Sequence, residues 1–282
     1  MNFYIVIPAH NEEAYIARTL KSLIRQSLLP KKIVVVNDNS SDSTASIVDD
    51  FTRQFDFVSM VNLKSSDVHL PGSKIIKAFQ AGIDQLDTNY DVICKFDADL
   101  IFPTNYLERI AFLFNNDQTI GMASGFCYIE KDNEWVLENL TQKDHIRGAL
   151  KAYKKECFKH IGGLKHSIGW DTVDELLAKY HGWSLHTDKS LRVKHLKPTG
   201  SRYNKQSQHL QGEAMYKMRY GFWISFLSAL KMAYKRKSLR VLVHTLKGYL
   251  ISKQQGLPYI VNAAEGEFIR KYRWKHIRKK LF

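Results

Sequence analysis

CKFDADLIFP, residues 94–103, is the stretch from which the fold of this chain can be read. The apolar run Val92-Ile93-Cys94 enters it as a buried strand would, and it then delivers Asp97 and Asp99, one residue apart. In extended backbone, residues i and i+2 point to the same side. Both carboxylates would then face one way at the carboxyl end of a strand. Hard cations such as Mg²⁺ and Mn²⁺ take such oxygen ligands, with waters and substrate phosphates completing the shell. The alternative from these ten residues alone is a strand ending in a polar turn, with Asp99 capping the next helix.

The same pattern recurs before this stretch. Phe3 to Ile7 is a short apolar run ended by Pro8, and Lys32 to Val36 reads IVVV after its lysine. Residues 57–63 form a third run and 91–96 the fourth. Runs that apolar and β-branched suit strands buried on both faces. Between them lie helical periodicities. One carries Ile16, Leu20, Leu23 and Ile24, with Asn11 as its expected cap, and the next runs through Ile47, Val48 and Phe51. A third opens within PGSKIIKAFQAG, residues 71–82. Strand–helix alternation of this kind predicts an α/β fold with a mostly parallel sheet covered on both faces. Ligands of such sheets sit outside the carboxyl ends of the strands. The polar turns AHNEE (9–13), NDNSSDST (37–44) and FDADLIFP (96–103) should therefore gather on one rim.

Later residues alternate less cleanly. Strands are expected over 119–129, 146–153 and 191–196, the last ending at His195, with a helix over 171–181. Beyond about residue 206 the spacing predicts basic amphipathic helices over 208–234, 238–252 and 262–280.

Composition narrows the class. The 282 residues are 44% hydrophobic and 12% aromatic, so the chain folds and is not disordered. Cys94, Cys127 and Cys157 are widely spaced, which argues against a zinc site or a disulfide framework and fits a reducing compartment. The start, MNFYIVIPAHNEE, lacks the features of a signal peptide. Net charge is +14 but unevenly placed. Residues 1–200 hold 24 Lys and Arg against 25 acids, whereas residues 201–282 hold 18 against 3. Such asymmetry predicts an appendage facing an anionic partner. Trp and Phe within basic helices suit an anionic membrane surface; the alternative is that their apolar faces pack on the α/β domain and the lysines are simply solvated. No nucleic-acid motif is present, and no nucleic-acid partner is expected.

In order, IPAHNEE (7–13), VVVNDNSSDST (34–44), PGSKIIKAFQAG, KFDADLIFP (95–103), IGGL (161–164), GWDTVDELLAKYHGW (169–183) and VKHLKPTGSR (193–202) make the chain resemble the family 2 glycosyltransferases. These are inverting enzymes with a GT-A fold. The resemblance implies a catalytic domain over 1–205, with a nucleotide-sugar half to about residue 103 and an acceptor half from 104. Residues 206–282 are then the basic helical extension. It implies transfer of a sugar from a nucleotide-sugar, UDP-linked, to an acceptor hydroxyl of a surface glycan or glycolipid. The place of work would be the cytoplasm, peripheral at the inner face of the cell membrane, with association between copies left open.

Residue by residue, the resemblance puts Pro8, Ala9 and Glu12 in the first nucleotide-contacting turn and Asp38 on the base or ribose. Asn37 and Asn39 depart from the acid and glycine common beside it. Lys74, or Lys77, reaches a phosphate or the base. Asp99 is the direct ligand of Mn²⁺ or Mg²⁺, Asp97 contacts ribose or the metal through water, and His195 completes the metal shell. Asp171 is the general base, with Asp174 and Glu175 as alternatives. Trp170 stacks on a sugar face, and Arg202 clamps the pyrophosphate. Two other classes compete. A nucleotidyltransferase would need a glycine-rich phosphate loop near the start, which IPAHNEEAYI lacks. A non-enzymatic membrane- or polyanion-binding protein on a degenerate transferase fold would not need the acids at 97, 99 and 171–175.

Overall fold

The computed structural model of the chain describes residues 1–64, 72–138, 145–197 and 207–281. Its first half is a parallel sheet. Strands β1 (Phe3–Ala9), β2 (Lys32–Asp38), β3 (Val58–Leu63) and β4 (Val92–Phe96) lie in the order β3-β2-β1-β4. Helices α1 (Ile16–Leu23), α2 (Thr44–Gln54) and α3 (Ser73–Ile83) make the crossovers. The apolar runs explain why both faces are covered. Phe3, Ile5 and Ile7 join one apolar cluster, while Tyr4 and Val6 join the other; Ile33 and Val35 divide from Val34 and Val36 in the same way. This is the period-2 alternation of a strand with a hydrophobic layer on each side.

The second half adds antiparallel pairing. Strand β8 (Leu150–Lys154) runs against β4, with Phe96 opposite Leu150, and β6 (Ile120–Lys131) runs against β8. The long strand β9 (Ser184–His195) is parallel to β6. Its last residue, His195, lies opposite Leu100 of the two-residue strand β5 (Leu100–Ile101). Strand β7 (Glu134–Leu137) forms a hairpin with β6, closed by Asp132 and Asn133 at φ 53° and 62°. Two left-handed residues of this type make the two-residue hairpin turn whose twist matches the strands.

Several boundaries differ from expectation. Helix α4 (Tyr106–Asn116) and strands β5 and β7 have no counterpart in the sequence reading. Asn11 does not cap α1: it takes φ 54°, and its side-chain oxygen accepts from the Ser41 N–H at 2.8 Å. Asp99 does not cap a helix either, because α4 begins seven residues later.

Helices α5 (Lys155–His160) and α6 (Trp170–Tyr180) follow β8. The basic extension forms α7 (Ser207–Lys217), α8 (Phe222–Lys235), α9 (Leu239–Gln254) and α10 (Ala263–Leu281). The single helix expected over 208–234 is broken where Arg219 and Gly221 take φ 54° and 77°. These helices do not stand apart. Ala214, Met218, Tyr220 and Ile269 share one apolar cluster with Tyr4, Phe79 and Val173. Helix α10 lies along α6, with Phe268 and Tyr180 ring centroids 5.5 Å apart. Among the described residues, no helix is long and apolar enough to cross a membrane.

Candidate active site

The polar turns after β1, β2 and β4 do gather on one rim, and hydrogen bonds lace them together. The Glu12 N–H donates to Thr44 Oγ1 at 2.8 Å, and the Glu13 N–H to Asp42 Oδ2 at 3.1 Å. Asp42 also accepts from the Thr44 N–H at 3.0 Å, so it closes the first turn of α2, and these bonds outweigh burial in lowering its pKa. Asn37 donates to Asn62 Oδ1 at 2.7 Å, which ties β2 to β3. Asn39 takes φ 55°, a conformation that Gly adopts freely and Asn tolerates, so Asn serves where Gly is common.

Asp38 is buried, and its Oδ1 has no hydrogen-bond partner among the described residues. A buried acceptor left unpaired is costly, and a ligand donor such as a ribose hydroxyl or an imide N–H would satisfy it. Pro8 and Ala9 end β1 opposite Val36 and Asn37. Glu12 accepts from Lys197 Nζ at 2.6 and 2.7 Å. That ion pair draws the chain beyond β9 over the rim. Lys74 is half-buried in the first turn of α3; Lys77, one turn on, is exposed.

Asp97 and Asp99 lie just past β4, in the turn leading to β5, so strand geometry is not what aligns them. The turn is pinned instead. Thr19 of α1 donates to the Ala98 carbonyl at 2.7 Å and accepts from the Leu100 N–H at 3.0 Å. The Asp97 N–H donates to the Ala149 carbonyl at 2.9 Å, and the Leu196 N–H to the Asp99 carbonyl at 2.9 Å. The last contact brings His195 to the acids: its Nε2 is 3.5 Å from Asp99 Oδ1. Asp97, Asp99 and His195 offer ligand atoms within 4.8 Å of one another.

Two carboxylates and an imidazole of this kind fit a divalent Mg²⁺ or Mn²⁺ ion. A second group, Cys127, Glu138 and His195, satisfies the same distance but is wholly buried. Burial pushes the Cys127 thiol well up, so it keeps its proton, and Glu138 is already bridged to Arg147 at 2.8 Å. Glu138 thus orients His195, accepting at Nδ1 over 3.1 Å while Nε2 turns to Asp99. Burial lowers the His195 pKa, but the Asp99 and Glu138 carboxylates outweigh it and hold the imidazolium to about 9.

The three acids of α6 have different surroundings. Asp174 is fully buried; both its oxygens accept from Lys151 Nζ at 2.8 Å, and Tyr153 donates to it at 2.6 Å. Glu175 accepts from the Ile146 N–H at 2.8 Å and lies 2.9 Å from His145 Nδ1. Burial opposes its charge, yet Lys151 and His145 hold its pKa low. Only Asp171 keeps an accessible carboxylate, its side chain 37% exposed, with His145 Nε2 at 3.9 Å.

A short path of contacts joins Asp171 to Asp97. The buried Lys95 ammonium bonds Asp97 and donates to the Gly148 carbonyl at 3.1 Å. A Cβ on Gly148 would come within 3.3 Å of Asp171 Cβ. Trp170, expected to stack on a sugar face, has its indole in the apolar cluster, with Lys95 and Lys151 Nζ at 5.3 and 5.5 Å from the ring. Arg202 lies outside the described residues.

Sequence reading missed Lys95, Lys151, Glu138, His145 and Lys197. The two lysines did leave a signal, since a lysine inside an apolar strand run must find a carboxylate. The others carry none, because their partners are distant in the chain.

A parallel first half, a β9 that returns to an acidic turn and a rim of polar turns are the features of a GT-A fold. Residues 4–167 match the model of glycosyl transferase family 2, and the chain belongs to that family. It is 38% identical over 129 residues to the probable glycosyltransferase YdaM of Bacillus subtilis, covering 43% of this chain and 28% of that protein. It is 28% identical over 201 residues to a poly-beta-1,6-N-acetyl-D-glucosamine synthase of Staphylococcus epidermidis, covering 64% of this chain and 45% of the synthase. The chain thus spans less than half the length of both relatives. Among solved structures, GalNAc-T7 with UDP, GalNAc and Mn²⁺ superposes with a TM-score of 0.68 at 14% identity, over 100% of this chain and 57% of that one.

Proposed function

We propose that this chain transfers a sugar from a UDP-sugar to an acceptor hydroxyl with inversion at the anomeric carbon, at an anionic membrane surface, in the synthesis of a surface glycan or glycolipid. The observation that carries the reading is the convergence of Asp97, Asp99 and His195 on the rim that also holds Asp38, whose Oδ1 is unpaired among the described residues. Asp38 binds the uridine, and Asp97, Asp99 and His195 hold Mn²⁺ or Mg²⁺. When bound, the cation supplies Lewis-acid stabilisation to the departing diphosphate. Lys74, at the start of α3, faces the phosphates. Asp171 takes the proton of the acceptor hydroxyl as its oxygen bonds to the anomeric carbon. The bond from that carbon to the diphosphate breaks in the same displacement, and its electron pair leaves with UDP. The ion pairs of Asp174 and Glu175 with Lys151 and His145 support Asp171 as the base. Support for uridine diphosphate and a divalent ion comes from the solved neighbour carrying UDP and Mn²⁺.

The test is a panel of nucleotide-sugars with Mn²⁺, read first by thermal shift and then by the anomeric configuration of the product. A donor at 100 times its Kd should stabilise the protein by about 2.7 kcal/mol. The proposal expects one UDP-sugar to stabilise and to yield an inverted linkage; stabilisation by no nucleotide-sugar, or a retained linkage, contradicts it.

A further inference from the structure

Exposed apolar surface in this protein is concentrated on α8 and α9. Trp223, Leu227, Leu230 and Tyr234 recur at i, i+4, i+7 and i+11 along α8, the spacing of one helical stripe. Leu239, Val243, Leu246 and Leu250 repeat the same spacing along α9. In the folded protein these stripes remain largely uncovered: Tyr234 is 85% exposed, Leu239 76% and Trp223 67%. The opposite faces are covered, since Ile224 and Ala229 of α8 and Val241, Thr245 and Tyr249 of α9 are buried. Residues 214–264 contain nine Lys and Arg and no acid, and Lys235, Arg236, Lys237, Arg240 and Lys247 are exposed beside the stripes.

We infer that the α8–α9 hairpin is a membrane-docking element, lying in the interface of an anionic bilayer with Trp223, Leu230 and Tyr234 of α8 and Leu239, Val243 and Leu250 of α9 in the acyl boundary. It deepens the membrane part of the proposed function and rests on it. Apolar stripes flanked by cations match a surface that is apolar within and negative at its rim. A second copy of the chain would meet the stripes with the same cations and be repelled. The inference also separates α8 and α9 from α10. The KYRWKHIRKK stretch (271–280) reads as equally basic, but α10 turns its apolar residues inward: Ile269 is buried, and Tyr272 lies 5.2 Å from Lys179 Nζ of α6. The docking face is therefore the hairpin, and α10 is the strut that ties it to α6 and Asp171.

The experiment uses the full chain with vesicles of phosphatidylcholine alone or mixed with phosphatidylglycerol, read by sedimentation and tryptophan emission. Binding is expected on the mixed vesicles, with a blue shift that Trp223→Phe removes. Arg236→Glu, Lys237→Glu and Arg240→Glu together should weaken it by about fivefold or more for each cation lost. Trp223→Ser with Leu239→Ser should abolish it, whereas Lys275→Glu on α10 leaves it within twofold. Binding that survives the charge reversals, or that Lys275→Glu reduces as much, overturns the inference. So does a soluble dimer that Trp223→Ser dissociates, which would give the face to a second copy. Transfer to a soluble acceptor is measured on the same variants. Its persistence without vesicle binding sinks the docking element alone, and vesicle binding without transfer sinks the catalytic reading alone.

Discussion

Asp171 and Asp174 stand three residues apart on one helix, yet their surroundings give them opposite roles. Asp174 is locked to Lys151 and Tyr153 in the core, whereas Asp171 reaches solvent beside Gly148 and His145. Asp171→Asn should lower kcat by about 10²–10⁴-fold with unchanged thermal stability, as expected for loss of a general base. Asp174→Asn should instead destabilise by roughly 3–5 kcal/mol, because it takes the nearer of two carboxylates from a buried ammonium; chemical denaturation measures the difference. His195 gives a pH dependence. Its folded pKa of about 9 lies above the ordinary histidine value. The stability it contributes without metal is therefore complete below about pH 6.5 and is lost as pH rises through 9. As a proposed ligand His195 must be the neutral imidazole, so Mn²⁺ binding would release that proton, and affinity should climb between pH 6.5 and 9. Mn²⁺ titrations across that range, with His195→Gln losing most of the slope, check the sign.

At the scale of elements, helix packing depends on glycines at two contacts. A Cβ on Gly82 of α3 would sit 2.4 Å from Val6 Cγ1, so α3 lies directly on the sheet. A Cβ on Gly212 of α7 would meet the Thr245 carbonyl of α9 at 1.8 Å. Gly212→Ala must push backbone from backbone and should lower stability by at least about 1–3 kcal/mol, the range for overpacking. Gly82→Ala meets side-chain methyls and should fall within that range; thermal melts of the two variants compare them. The parallel strands and their helices were legible because each strand is a short apolar run and each helix has one apolar stripe. Helix α4 was equally periodic, through Tyr106, Ile110 and Phe114, so its signal was present though unread. The break before α8 was harder to see, because Arg219 gives no hint of a positive φ.

Across the whole molecule, stretches far apart in the chain meet at the site. Asp99 and His195 are 96 residues apart in sequence and 3.5 Å apart in space. Their types and order carried the expectation, but no local pattern could show that β9 returns beside β5. The same holds for Glu138, which holds His195 from a hairpin that the sequence reading did not contain. The charge asymmetry of the last 82 residues was plain in composition. Only the packing shows that all four helices join one apolar cluster with the sheet while α8 and α9 also keep apolar stripes exposed. The central claim is that the rim of Asp97, Asp99 and His195 holds a metal for sugar transfer driven by Asp171. Its most direct test is the rate of transfer from the UDP-sugar with Mn²⁺ and after chelation, in wild type, Asp99→Ala and Asp171→Asn. The account predicts that chelation and Asp99→Ala each abolish transfer, and that Asp171→Asn abolishes it while UDP still binds. Wild-type rates in either variant, or transfer indifferent to chelation, would contradict it.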